Sequence, residues 1–348
     1  MPSGMKGPGL FVAQFAGPAP PFSSLPGLAG WAKGLGYKAL QVPLHDPRLL
    51  DLPRAAESPD HAQEVLGGME GLALSELAAQ RLGFQLARHP AYALADASPP
   101  GADPSAWSAE RLRLAARACR NLGVARIAAF SGALAWPYAH PWPLREEGLI
   151  AEAFAELGRR WRPILDAFDA AGVDVCFEPH PGCDVHDGVT FERFLDAVGG
   201  HPRCRLLYDP SHMVLQCMDP VGFVEAYGPL IRAFHVKDAE FRRSGRSGAF
   251  GGFQPWLDRP GRYRTPGDGD VPWAAVFAAL ARTGYDGWAV LEWEDPLRRA
   301  EDGARQGAEL IRRHMIRPPE RDFDASLLRG LPPEALRGAL GLPGDAPR

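Results

Sequence analysis

Eight short apolar runs recur along the chain, separated by longer stretches of helical periodicity. This alternation limits the fold more than any other feature of the sequence. The runs are LFVAQFA (10–16), KALQVPLH (38–45), LALSELAAQ (72–80), ARIAAFSG (125–132), VDVCFEPH (173–180), CRLLYDPSH (204–212), IRAFHVKD (231–238) and GWAVLEWED (287–295). Amphipathic stretches such as 147–171, 190–198, 273–282 and 297–314 lie between them. A near-continuous apolar strand is what a parallel sheet covered on both faces requires. Eight such strands alternating with helices predict an α/β fold, a (β/α)8 TIM barrel. The third run is ambiguous, because ALSELAAQRLGFQLA (73–87) reads equally well as helix.

Helix endings support the same architecture. AAGVDV (170–175), RTGYDGWAVLEW (282–293) and NLGVARIAAF (121–130) each pass from helix through glycine to strand. Two segments depart from the pattern. Residues 239–272, AEFRRSGRSGAFGGFQPWLDRPGRYRTPGDGDVP, are too long for a minimal connection after the seventh strand, so a functional loop or lid is expected there. Within it, SGRSGAFGG (244–252) either cradles a phosphate through backbone N–H groups or is a flexible lid. Residues 315–348 are rich in Pro and charge and read as a C-terminal tail with one short helix near 333–339. The barrel is therefore placed at 1–314.

Composition narrows the function. Apolar residues at 46% suffice for one large core. A net charge of −4 with no Lys/Arg block argues against nucleic acid or an anionic membrane surface as partner. Cys119, Cys176, Cys183, Cys204 and Cys217 are odd in number and lack zinc-type spacing, so a reducing cytoplasm is expected. The apolar GLFVAQFA (9–16) is far too short to span a bilayer and reads as a buried first strand.

CFEPHPGCDVHD (176–187) packs Glu178, His180, Asp184, His186 and Asp187 together, yet at the spacing of no compact metal motif. The partners of Glu178 lie on other strands. Glu178 follows VDVCF, Asp209 follows CRLLY, His235 follows IRAF and Glu292 follows WAVL. Each is the first ionisable residue after its run. In a parallel barrel all strand C-termini open on one face, so these four side chains converge. A single strand-end carboxylate usually caps a helix or faces water; four at the same relative position are harder to explain that way. Three carboxylates and one imidazole suit a divalent cation of intermediate hardness: Mn²⁺ first, then Co²⁺, Mg²⁺ or Zn²⁺. The absence of Cys ligands argues against a structural zinc.

These segments resemble the xylose isomerase-like superfamily of TIM barrels, which includes sugar isomerases, ketose 3-epimerases and inosose-processing enzymes. Glu178, YDPSH (208–212), HVKD (235–238) and LEWE (291–294) are similar to its segments on strands 5 to 8. RYRTPGDGDVPW (262–273) is similar to its Arg…Pro-Gly-x-Gly segment. The resemblance covers roughly residues 8–314. It implies that Glu178, Asp209, His235 and Glu292 bind the metal and that Glu178 and Glu292 also serve as acid and base on opposite faces of a sugar. It implies too that His212 and Arg264 hold substrate oxygens.

Other residues stay open. His180, two positions after Glu178, is either a base or a hydrogen-bonding support. Lys237 is expected to reach a substrate oxygen, and Asp238 to orient a neighbour. Asp184, His186 and Asp187 are assigned to the loop. SGALAWPYAHPWP (131–143) carries Trp136, Tyr138, His140 and Trp142, which either stack on a sugar or pack the loop.

The expected function is a divalent-metal-dependent isomerase or epimerase of a sugar, keto-sugar or cyclitol that abstracts a proton next to a polarised carbonyl. The alternative is a lyase on the same scaffold, by inosose dehydration or 3-keto-glycoside β-elimination. An apurinic endonuclease would need more metal-binding histidines and a basic surface. A non-catalytic binding protein would not need the ligand set. Many superfamily members associate, which leaves a homo-oligomer open.

Overall fold

The computed structural model describes residues 4–90, 92, 98–140, 145–146, 148–317 and 332–342. Its strands are β1 (Lys6–Phe11), β2 (Ala39–Pro43), β3 (Ala73–Ala78), β4 (Arg126–Ala129), β5 (Asp174–Phe177), β6 (Cys204–Tyr208), β7 (Ile231–Val236), β8 (Asp238–Phe241), β9 (Gly261–Arg264) and β10 (Trp288–Leu291). Eight of them close a parallel barrel in the order β1-β10-β7-β6-β5-β4-β3-β2. Each predicted run supplies one barrel strand.

Two runs differ in detail from expectation. β1 begins at Lys6, ahead of its apolar run. Lys6, Gly7, Pro8 and Gly9 offer no apolar side chains to a pattern, yet Lys6 and Gly9 align with Trp288 and Val290 of β10. A Cβ at Gly9 would lie 3.1 Å from the Val290 side chain, so glycine suits that approach. Val12 and Phe15, later in the same run, are buried by packing after the strand has ended. In the third run both readings hold in succession: β3 ends at Ala78, and a helix follows at Gln80–Leu86.

Gly172 ends the long helix Leu149–Ala171 with φ +72°, and Gly284 does the same before β10 with φ +77°. This left-handed backbone costs other residues energy, and it turns each helix end into the next strand.

Side chains alternate across a strand, so residues two apart share a face. Cys176, Leu207 and Ala233 stand two positions before Glu178, Asp209 and His235. With Ala128 they form one buried apolar cluster. Val290, two before Glu292, clusters with Phe11 and Ala78. These layers are the floor of the site. Period-two alternation then sends the polar residue of each strand to the layer above.

The segment after β7 is more ordered than a lid. β8 and β9 pair as an antiparallel hairpin, with Asp238 opposite Arg264 and Phe241 opposite Gly261. The chain divides into two compact units, 1–315 and 316–348. In the second, the helix Pro333–Ala339 is exposed along its length. No helix among the described residues is long and apolar enough to cross a membrane.

Candidate active site and metal centre

Glu178, Asp209, His235 and Glu292 converge at the C-terminal mouth of the barrel. One ligand atom from each lies within 4.8 Å of the others. All four are buried, at 2%, 0%, 1% and 7% exposure. Charges this deep are costly unless a partner compensates them.

Asp209, His235 and Glu292 each have one atom held by a neighbour, and Glu178 has both carboxylate oxygens held. Asp209 Oδ1 accepts the Ser211 N–H at 2.9 Å. Gln14 Nε2 donates to Glu292 Oε1 at 2.9 Å. His235 Nε2–H donates to Gln41 Oε1 at 2.9 Å, which leaves Nδ1 facing Glu292 Oε2. Glu178 receives His212 Nε2 at 3.1 Å and Gln80 Nε2 at 3.4 Å. The remaining atoms Asp209 Oδ2, His235 Nδ1 and Glu292 Oε2 are buried without a well-formed hydrogen bond, although His235 Nδ1 lies 2.9 Å from Glu292 Oε2 and His212 Nε2 lies 3.2 Å from Asp209 Oδ2. Buried polar atoms are seldom left so. Three of them in one four-residue cluster fit a bound cation, and the O₃N set fits a divalent one.

The barrel thus divides its work. Strands β5, β6, β7 and β10 present the ligands, while the first three strand segments supply Gln14, Gln41 and Gln80 to orient them. Sequence reasoning missed these glutamines because it looked only for ionisable groups. Their signal was the same one, a polar residue within or at the end of an apolar run. Replacing Gln41 with Leu strands the His235 Nε2–H in a dry site. It is expected to weaken Mn²⁺ binding by about 10–100-fold, as read by competition with a chelating dye. Unchanged affinity would remove Gln41 from the orienting set.

Cations surround the quartet. Lys237 Nζ lies 3.4 Å from Glu292, 2.9 Å from Glu294 and 4.2 Å from the centre of the Tyr263 ring. Burial opposes its charge, but Glu292 and Glu294 outweigh that and hold its pKa well above the ordinary lysine value. Burial likewise opposes protonation of His235 and His212. Glu292 lifts the first to about 9, and Asp209 lifts the second to about 9. His180 behaves in the opposite way. Burial, then the charges of His212 and Lys237, push it well below 6.5. Its Nδ1–H donates to Pro181 O at 2.6 Å, so Nε2 carries a free lone pair.

A cavity of about 320 Å³ opens above the quartet, lined by Glu178, Glu292, His180 and Lys237 together with His45 and Arg81. Not every predicted residue reaches it. His212 is fully buried and contacts Glu178 and Asp209 rather than lining the cavity. Arg264 is turned aside, pairing with Glu240 at 3.1 Å and Asp295 at 3.6 Å. Trp136 lines a second, outer cavity. Tyr138 hydrogen-bonds His89 at 3.2 Å, His140 meets Phe250, and Trp142 lies outside the described residues.

The loop residues hold the backbone. Asp184 accepts the N–H groups of Leu134, Ala135 and Trp136. Asp187 caps the helix Gly188–Ala197. His186 Nδ1 lies 3.0 Å from Asp184 O. In SGRSGAFGG the Arg246, Ser247 and Gly251 N–H groups bond within the loop itself, so they are not offered to a phosphate.

The fold is a closed parallel barrel whose four converging side chains fit a divalent metal. A family model described as the xylose isomerase-like TIM barrel matches residues 29–314, and the chain belongs to that family. Over 151 residues it is 30% identical to the rhizopine catabolism protein MocC of Rhizobium meliloti, covering 42% of this chain and 45% of the relative. Over 133 residues it is 34% identical to an inosose dehydratase of Bacillus velezensis, covering 36% and 42%. The matches thus span under half the length of these curated relatives. A xylose isomerase domain protein from Alicyclobacillus acidocaldarius shares the fold, with a TM-score of 0.60 and 22% identity over 88% of this chain and 97% of that one.

Proposed function

We propose that the protein is a divalent-metal-dependent isomerase or epimerase of a sugar, keto-sugar or cyclitol. The observation that carries this reading is the buried quartet, whose candidate ligand atoms lie within 4.8 Å of one another, three of them without a well-formed hydrogen bond, and which opens into a chamber walled by candidate bases. Mn²⁺ is the preferred ion for an O₃N set. A divalent cation there supplies Lewis-acid polarisation of a substrate carbonyl.

The side chains do the rest. Glu178 and Glu292 both line the chamber, and together they can take a proton from one face of a carbon and return one to the other. His180 presents an unprotonated Nε2 on the same wall. The Lys237 ammonium balances the negative charge that proton removal leaves on the substrate. His212 bridges Glu178 and Asp209 and holds them in register.

A second reading, β-elimination after the same proton abstraction, is favoured by one observation: a curated relative matched in sequence is named as an inosose dehydratase. One experiment tests both. The Mn²⁺-loaded protein is incubated in D₂O with a panel of keto-sugars and inososes, and products are followed by NMR. Deuterium beside the carbonyl in a product of unchanged composition supports the isomerase or epimerase. A product that has lost water or an alcohol supports the lyase. His180→Asn is expected to slow either reaction by about 100-fold with metal content retained, if His180 is the base. Turnover with neither deuterium incorporation nor a primary isotope effect at that C–H would sink proton abstraction altogether.

A further inference from the structure

The chamber above the quartet does not end at its own walls. A second cavity of about 800 Å³ adjoins it, and His180 and Glu294 line both. The two differ in character. The inner wall carries carboxylates, a lysine, an arginine and amides, with Phe11 and Phe130 beside them. The outer wall carries Trp136, Phe241, Phe250, Trp256 and Tyr263. Four of these, Phe241, Phe250, Trp256 and Tyr263, come from the segment after β7 that exceeds what a barrel connection needs.

The aromatic wall is built. Trp256 lies 5.3 Å from Tyr263, with their planes 34° apart. The Arg259 guanidinium covers the Trp256 ring at 4.2 Å and is itself held by Gln254 O and Gly252 O. The backbone of Trp136 is fixed by the buried Asp184 carboxylate. Tyr263 reaches the metal centre, with its ring beneath Lys237 and its hydroxyl 3.4 Å from His212 Nδ1. Even so, Phe250 is 85% exposed and Trp256 42% exposed. Apolar surface grouped this way beside a polar site marks a place where something binds.

Size points the same way. About 320 Å³ is at the small end of ligand pockets and suits one polyhydroxylated ring. A one-ring substrate would leave the larger chamber unused. Aromatic faces stack on the C–H faces of sugars and on flat aromatic rings alike. We propose that the outer chamber binds a second ring of the substrate. On this proposal, which rests on the inner chamber holding the reacting sugar, the substrate is a keto-glycoside. Its bridging atom passes between His180 and Glu294, and its linked ring lies against Trp136 and the exposed part of Trp256, which Tyr263 backs.

The test uses the full-length Mn²⁺-loaded protein and three probes: methyl β-glucoside, phenyl β-glucoside and cellobiose, each oxidised to a ketone at carbon 3 of the non-reducing ring. Relative kcat/KM is measured by NMR. The readout is the two-ring to one-ring ratio within each protein, so losses of folding or metal cancel. The ratio is expected to be on the order of 10 or more, expressed through KM, for at least one two-ring probe. The preferred probe tells an aromatic partner from a sugar. Trp256→Ala, and separately Trp136→Ala on a different element, should bring the ratio towards 1. A ratio near 1 in the unaltered protein, or one that survives both substitutions, overturns the proposal and leaves the sugar reading intact. Failure of all three ketones to react or bind, while an inosose or free keto-sugar turns over, overturns the glycoside alone. Failure of every carbohydrate overturns both.

Discussion

Asp209→Asn is expected to abolish metal retention and turnover while leaving the barrel folded. The two oxygens of Asp209 have separate tasks. Oδ1 accepts the Ser211 N–H and starts the helix Pro210–Leu215, and an asparagine oxygen keeps that bond. Oδ2 has no hydrogen-bond partner and faces His212 at 3.2 Å and Lys237 at 4.0 Å. In asparagine that position becomes an NH₂ donor, aimed where a cation or cationic side chains need an acceptor. Burial alone would raise the Asp209 pKa, but His212 and then Lys237 hold it below the usual carboxylate range, so the group is charged at neutral pH. Losing that charge should weaken Mn²⁺ binding by more than about 100-fold, since orienting partners alone are worth 10–100-fold. Turnover should fall by roughly a thousandfold. Asp219 provides a matched control. It too precedes a proline and accepts the N–H two residues on, at 2.9 Å, but on the exposed surface. Asp219→Asn should leave metal content unchanged. Full metal occupancy in Asp209→Asn would mean that the quartet is not the site.

The barrel was legible in the sequence because its strands are buried on both faces, so each one reads as an apolar run. Where burial did not come from side chains, the reading slipped: β1 starts at Lys6 through backbone pairing by small residues. The convergence of Glu178, Asp209, His235 and Glu292 was legible because they interrupt apolar runs with charge. The glutamines that orient them were not, because an amide next to an apolar run looks like ordinary polarity until a partner is seen across the barrel. Arg264 shows the opposite failure. Its motif was plain, but sequence does not reveal that Glu240 and Asp295 stand close enough to claim its guanidinium. The β8–β9 hairpin was hidden for a similar reason. Asp238, Glu240, Arg262 and Arg264 pair across it, and the alternation with Ala239, Phe241 and Tyr263 runs for only four residues in each strand, too short to stand out from a loop.

Asp238→Ala should produce the largest loss of stability among the site's surroundings. Its buried carboxylate accepts the N–H groups of Ala239 (2.9 Å), Gly267 (2.8 Å), Gly269 (3.2 Å) and Val271 (3.2 Å), and the Trp273 indole N–H (3.0 Å). One side chain at the start of β8 therefore ties down the whole Pro266–Val271 turn and the start of the helix Trp273–Arg282. A buried donor left without an acceptor costs about 1–3 kcal/mol. Water can reach some of the five, so a total on the order of 4 kcal/mol is expected. For a domain this size that is a fall of about 6 °C in Tm. Asp238→Asn should fall between, because its oxygen still accepts while its NH₂ opposes the remaining donors. Gly269 tests the same contact from the other side. A Cβ there would lie 2.2 Å from Asp238 Oδ1 and 2.5 Å from Ala239 O, so Gly269→Ala must displace the turn. If the carboxylate and the turn act as one unit, the double variant should lose clearly less than the sum of the two single losses. Additive losses, or an Asp238→Ala protein that melts within a degree or two of the unaltered one, would show that the turn is held by something other than this carboxylate.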